Sequence, residues 1–188
     1  MFVVYKTMFV TERLVLRSVI PEDLESVYKG LSHPEVIRYY GVSYDSMESA
    51  RDQMKFYDDL ESQHTGKWFA ICSSNEAKFY GACGLNNLNR QHKKAELGFW
   101  LLPQYWHQGI ISEALPEIIR YGFNELDLHR LEAFVEVGNG NSKKALTKQG
   151  FNLEGTMIDC ELKGDRFISL EIYARLNPAN GPLTERKS

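Results

Sequence analysis

Apolar and polar residues recur along this chain with two periods, and the switches between them mark out its elements. Leu14, Leu16 and Val19 open a strand over residues 13–19. Pro21 then stands at a helix start, with Leu24, Val27, Tyr28 and Leu31 at helical spacing. A second helix is predicted after Asp45, with Glu48 as its capping-box partner and Met47, Ala50, Met54, Tyr57 and Leu60 as its apolar stripe. Strands are predicted over residues 68–73, 79–87 and 94–102. In the last of these Ala95, Leu97, Phe99 and Leu101 alternate with Glu96, Gly98, Trp100 and Leu102. Both sets are largely apolar, which predicts a central strand covered on both faces.

A polar, aromatic loop follows Pro103. Ile111, Leu115, Ile118, Ile119, Phe123 and Leu126 then share one helical face. A strand over residues 130–137, a Gly/Asn turn and a short helix over 142–149 come next, with Gly150 as the helix stop. A hairpin closes the chain, residues 156–162 against 167–176, turning at Lys163-Gly164-Asp165. The order predicts one α/β or α+β domain around a single mixed sheet, residues 11–176. Residues 1–10 read either as an extra strand or as a stretch ahead of a start at Met8. Turn formers from Asn177 onward predict a flexible tail, residues 177–188.

Composition narrows the classes. With 43% hydrophobic and 25% charged residues in 188, the chain is long and apolar enough to build a core without staples. A net charge of −3 argues against a general nucleic-acid binder. No apolar run approaches the ~20 residues that span a bilayer. Lys6 interrupts the apolar start and no small-residue cleavage site follows, so neither a membrane partner nor a signal peptide is expected. Cys72, Cys83 and Cys160 are scattered without a CxxC pair, which suggests reduced thiols in a cytoplasmic protein and no metal site.

Two segments could carry chemistry. In residues 99–114 a buried strand runs through Gly109 into a helix, and a helix N-terminus offers unpaired N–H groups to a phosphate. The same pattern also merely turns corners in many folds. In residues 137–144 another helix begins just after a strand, with Lys143 and Lys144 in its first turn. Solvated surface lysines explain that pair equally well.

Taken together, "AELGFWLLPQYWHQGIISEAL", "LHRLEAFVEVGNGNSKKALTKQGFNLEG" and "GDRFISLEIYARL" resemble the GNAT N-acetyltransferases. The branch they resemble is that of the ribosomal-protein alanine/serine N-acetyltransferases, and the likeness runs from Thr11 to Leu176. It implies the GNAT fold: a central, mostly antiparallel sheet of six to seven strands flanked by helices. It also implies acetyl-CoA as cosubstrate and a primary amine as acceptor. The acceptor is a protein N-terminal α-amine, or alternatively a small amine such as a polyamine, amino acid or antibiotic. An acyl-CoA-binding module without turnover is the reading from another class. A homodimer is in keeping with the branch.

The resemblance places roles on residues. The family's diphosphate loop, Gln/Arg-x-x-Gly-x-Gly/Ala, reads Trp106-His107-Gln108-Gly109-Ile110-Ile111 here, with Ser112 following. Only Gly109 keeps the general pattern; backbone amides of residues 107–112 are expected to hold the diphosphate. Phe99, Trp100 and Leu101 match the strand whose backbone pairs with the pantetheine arm. Asn139 and Ser142 match the family's Asn-x-x-Ser beside the thiol, which makes Ser142 the expected proton donor to the departing thiolate. As a residue beginning a helix, Ser142 is equally an ordinary N-cap. Lys143 and Lys144 would then lie near the phosphates. Glu161 matches the branch's presumed base, with Glu96 behind it as a base used elsewhere among these enzymes. Departures are His107 where Gly is usual, Pro116 inside a helix, Leu146 where many members have Tyr, and Ser169 where the branch often has Asp.

Overall fold

The computed structural model describes residues 7–75 and 78–180. Within them one mixed sheet of eight strands runs in the order β1-β2-β3-β4-β5-β6-β8-β7. The strands are β1 (Thr7–Val10), β2 (Leu14–Ser18), β3 (Lys67–Ser73), β4 (Phe79–Asn89), β5 (Lys94–Leu101), β6 (Arg130–Glu136), β7 (Asn152–Lys163) and β8 (Arg166–Leu176). All neighbours pair antiparallel except β5 and β6. The count exceeds the expected six to seven because Thr7–Val10 joins the sheet edge against β2. Residues 1–6 of the opening segment and 181–188 of the tail lie outside the described residues.

Helices cover both faces. Helices α1 (Leu24–Leu31), α2 (Pro34–Ile37) and α3 (Arg51–Ser62) pack Val27, Leu31, Val36, Tyr57 and Leu60 onto one face. On the other, α4 (Ile110–Arg120) and α5 (Gly140–Lys148) lay Leu115, Ile118 and Leu146 over Leu85, Leu97 and Leu131. Leu115 and Ile118 are wholly buried, each contributing about 1.5–3 kcal/mol relative to exposure. β5 divides the two cores, with Leu97 and Leu101 on one side and Trp100 on the other. The two-sided apolar pattern of this strand is thereby explained. Gly98 admits the Trp68 indole, which would lie 2.7 Å from any Cβ there.

Three sequence expectations need correction. The helix placed after Asp45 begins only at Arg51, because Ser46 and Ser49 bond each other's backbone amides and hold residues 45–50 in turns. Glu48 instead pairs with Arg51. The last short helix begins at Gly140, capped by Asn139, whose side chain accepts from the Ser142 amide at 3.2 Å. Ser142 is therefore not the cap. The chain also stays packed past Leu176: Asn177 is buried, its amide donating to the His129 carbonyl at 2.8 Å.

Pro116 lies inside α4 and leaves the Ser112 carbonyl without its helical donor. The Gln149 side chain fills the vacancy, Nε2 donating to that carbonyl at 3.3 Å. α4 and α5 are thus joined at the point where one of them lacks a bond.

Candidate active site

The parallel strands β5 and β6 pair only at one end. Lys94, Ala95 and Glu96 face Arg130, Leu131 and Glu132, and beyond these no register joins them, although both strands continue. The closed end is stitched by charge: Lys94 Nζ reaches both Glu132 oxygens at 3.1 Å, and Arg130 pairs with Glu132 and Glu154. Burial alone would raise the Glu132 carboxyl, but Arg130 and Lys94 outweigh it and hold it low.

The open end widens into a cleft of about 1140 Å³. The phase of the β4–β5 ladder decides what β5 presents to it. Leu102 N donates to Tyr80 O, so in the same register Glu96, Gly98 and Trp100 direct their main-chain groups to β4. Leu97, Phe99 and Leu101 direct theirs across the gap. Trp100 therefore turns its backbone away from the cleft, and its indole Nε1 donates to the Tyr57 hydroxyl at 3.2 Å in the opposite core. Leu101 has its carbonyl taken by Trp106 Nε1 at 2.9 Å. Of the three residues expected to serve the pantetheine arm, Phe99 keeps its main chain open; of Leu97 the carbonyl joins it, since its amide closes the last rung with Glu132.

Beyond Trp106 the loop is held from outside. Arg13 donates to the Gln108 carbonyl at 3.1 Å and pairs with Glu113 at 2.7 Å. Burial would raise Glu113, but Thr11 and both the amide and guanidinium of Arg13 outweigh it and lower it. The Gln108 side chain folds back to Gln104 O at 2.7 Å, away from the cleft. His107 and Gly109 both have left-handed backbones, at φ 60° and 77°, and both line the cleft. Gly109 caps α4 without any side-chain acceptor, so the amides of Ile110, Ile111 and Ser112 begin the helix and face the cleft margin. Such a terminus attracts anions.

On the opposite wall Asn139 and Ser142 line the cleft, the latter half-buried. Lys143 does not: its Nζ pairs with Glu171 at 2.8 Å. Lys144 and Lys148, one turn apart, border the cleft in its place, Lys148 Nζ lying 3.4 Å from Ser112 Oγ.

Side chains dominate the other end. Glu96 and Glu161 both line it. Glu96 is half-buried; burial, with the negative charges of Glu132 and Glu161, raises its carboxyl, opposed by hydrogen bonds from Asn87 and Asn86. Glu161 is exposed on a bulged stretch of β7. Asp159 there is left-handed at φ 47°, and its amide donates to Ser169 Oγ at 2.9 Å. Residues 38–44 form a roof. Tyr39 packs against Gly138, and Lys163 donates to the Arg38 carbonyl at 2.7 Å while pairing with buried Glu136. Tyr40 lines the cleft near Glu96; burial first, then Tyr57, Tyr44 and Glu96, keep its hydroxyl protonated. Sequence reasoning passed over Tyr40, Asn87 and Lys148. Among the described residues no group of side chains assembles that could hold a metal ion, and no helix is long and apolar enough to cross a membrane.

A parted sheet beside an uncapped helix N-terminus makes a cleft suited to an extended ligand that carries an anionic group. Residues 13–152 match the Acetyltransferase (GNAT) domain, and the chain belongs to that family. It is 34% identical over 167 residues to the uncharacterized N-acetyltransferase p20 of Bacillus licheniformis, covering 88% of this chain and 94% of that one. It is 26% identical over 175 residues to the ribosomal-protein-serine acetyltransferase of Escherichia coli, covering 91% and 97%. The spermidine N(1)-acetyltransferase of the same organism is 27% identical over 145 residues, covering 76% and 75%. Among solved structures, a ribosomal L7/L12 α-N-protein acetyltransferase, RimL, in complex with coenzyme A superposes with a TM-score of 0.81 at 22% identity, covering 91% and 98%. The chain is a GNAT N-acetyltransferase, and its donor is acetyl-CoA.

Proposed function

We propose that the acceptor is a protein N-terminal α-amine, deprotonated by Glu96. The observation that carries this reading is the base itself: a half-buried carboxylate held above its ordinary range, with no cation beside it. Such a base is still far weaker than an alkylamine. An α-amine with pKa ~7.7–8.0 is already neutral in roughly a tenth of molecules at pH 7, whereas a lysine-type amine needs about 3–4 kcal/mol more.

The chain's own groups divide the work. Main-chain groups of Leu97 and Phe99 hold the carrier arm, and the amides opening α4 hold its diphosphate, with Lys144 and Lys148 nearby. Acetyl-CoA supplies an activated thioester. The α-ammonium, drawn in by Glu161, first loses one proton to solvent; the neutral amine then attacks, and Glu96 takes a second proton from nitrogen as the N–C bond forms. As the C–S bond breaks, Ser142 gives a proton to the thiolate. Glu161 leads on resemblance alone; partial burial and the hydrogen bond from Asn87 favour Glu96.

A second reading is favoured by one observation. Glu35, Glu96 and Glu161, with the rings of Tyr39 and Tyr40, line the acceptor end, a composition that also suits a small polycationic amine. Thiol release measured across peptides with free and blocked N-termini and across a panel of alkylamines decides between them. Acetylation of free N-termini with at least tenfold higher kcat/KM supports the first reading; preference for diamines and polyamines overturns it.

A further inference from the structure

Among the described residues no ion pair engages Glu96, and no cation acts on its charge. Lys94, on the same strand, and Arg130 both turn to the neighbouring Glu132. The ionisable groups that act on Glu96 through their charge, Glu132 on β6 and Glu161 on β7, are negative, and Tyr40 in the roof is neutral. Of the cations that line the same cleft, Lys163 pairs with Glu136, and Arg38 adds no cation to the charges that act on Glu96. An uncharged group from β4 does what a cation would otherwise do. Asn87 Nδ2 donates to Glu96 Oε2 at 2.8 Å.

The backbone that delivers this amide is unusual. β4 leaves its regular register with β5 between Asn86 and Asn89, and Asn87 there takes φ 53°. Few residues other than glycine adopt that region; asparagine is among those that tolerate it best. Tolerance alone would explain an asparagine at a bulge, but it does not explain where the carboxamide goes. The side chain returns across the bulge to the carboxylate that β5 contributes to the last rung before β5 and β6 part. A neutral donor also suits the chemistry. A guanidinium or ammonium would stabilise the carboxylate so far that it became a feeble base, while an amide orients it at smaller cost in basicity.

We infer that Asn87 is a positioning residue for acetyl transfer, fixing the Glu96 carboxylate and favouring its charged form for the incoming amine. The inference rests on Glu96 being the base, and the experiment separates the two. Log kcat/KM is measured against pH for the native enzyme, Asn87→Gly, Asn87→Asp and Glu96→Gln, with acetyl-CoA affinity by calorimetry. Glycine keeps the left-handed backbone while removing the amide. For Asn87→Gly we expect a rate about tenfold lower, an acid limb about one pH unit higher and unchanged acetyl-CoA affinity. Asn87→Asp, nearly identical in shape but charged, moves the limb further upward. An acid limb left in place in both variants overturns the inference, whatever happens to the rate or the melting temperature. If Glu96→Gln keeps both its rate and its acid limb, the assignment of the base falls instead.

Discussion

The two ends of the cleft are made of different material. The end proposed for the donor is backbone: the cross-gap groups of Leu97 and Phe99 and the amides that open α4. The end proposed for the acceptor is side chain: Glu96, Glu161, Tyr40 and the rings of the roof. Backbone geometry survives substitution so long as the chain can take the same path, so His107 and Ile111 can replace the usual small residues without removing the amides. Side-chain geometry has no such tolerance, and its two carboxylates are each set by a bulge whose left-handed residue, Asn87 or Asp159, is matched to a particular partner.

Substitutions can break that contrast in descending order of effect. Gly109→Glu should do the greatest harm, because φ 77° disfavours any side chain and the new group would meet Arg13 and repel a phosphate. Acetyl-CoA affinity by calorimetry is expected to fall at least a hundredfold, roughly 3 kcal/mol, while circular dichroism stays native. At the other end Glu96→Gln is expected to lower kcat about 10²–10⁴-fold with acetyl-CoA affinity unchanged. Equal losses of binding and turnover in either variant would dissolve the distinction between the ends.

The pH profile sharpens it. Glu96 must be ionised to accept a proton, so activity is lost as pH falls through its raised pKa. Because the charge of Glu161 contributes to that rise, Glu161→Gln should move the acid limb to lower pH. Disappearance of the limb would make Glu161 the base. Ser169→Ala, which frees the Asp159 amide, is expected to raise the acceptor KM a few-fold with no change for acetyl-CoA. Smallest of all in its effect on the site, Lys143→Ala should leave acetyl-CoA affinity untouched and cost stability about 1–3 kcal/mol by thermal melt, since its partner is the largely buried Glu171 and not a phosphate.

How far the chain could be read in advance followed the range of the forces involved. Strands β3 to β5 and helix α4 were visible as alternation and periodicity, because one face of each must be buried. The start of α3 was misplaced because Ser46 and Ser49 satisfy each other's amides locally, an alternative that a capping-box pattern does not reveal. Asn139 and Ser142 are both fair caps; which one acts depends on the chain path leaving β6. Lys143 and Lys144 looked alike, yet neighbours on a helix point about 100° apart and cannot share a partner. Trp100 lines the cleft, but which way its main chain faces could not be read, because the phase of its backbone is a property of β4 and not of β5. Asn87 left no periodic trace: its effect lies across a bulge, nine positions from the carboxylate it holds.

The missing amide of Pro116 reaches further than the helix that contains it. Gln149 and Ser112 come from segments that no strand pairing connects, and their bond fastens the first turn of α4 to the C-terminal end of α5. The gap between β5 and β6 is laced only at its far end, like an unbuttoned collar. The two helices that follow its lips are tied to each other by that lateral strut instead. Whatever lodges in the parted end therefore meets two helices that already hold one another, and not two independent walls.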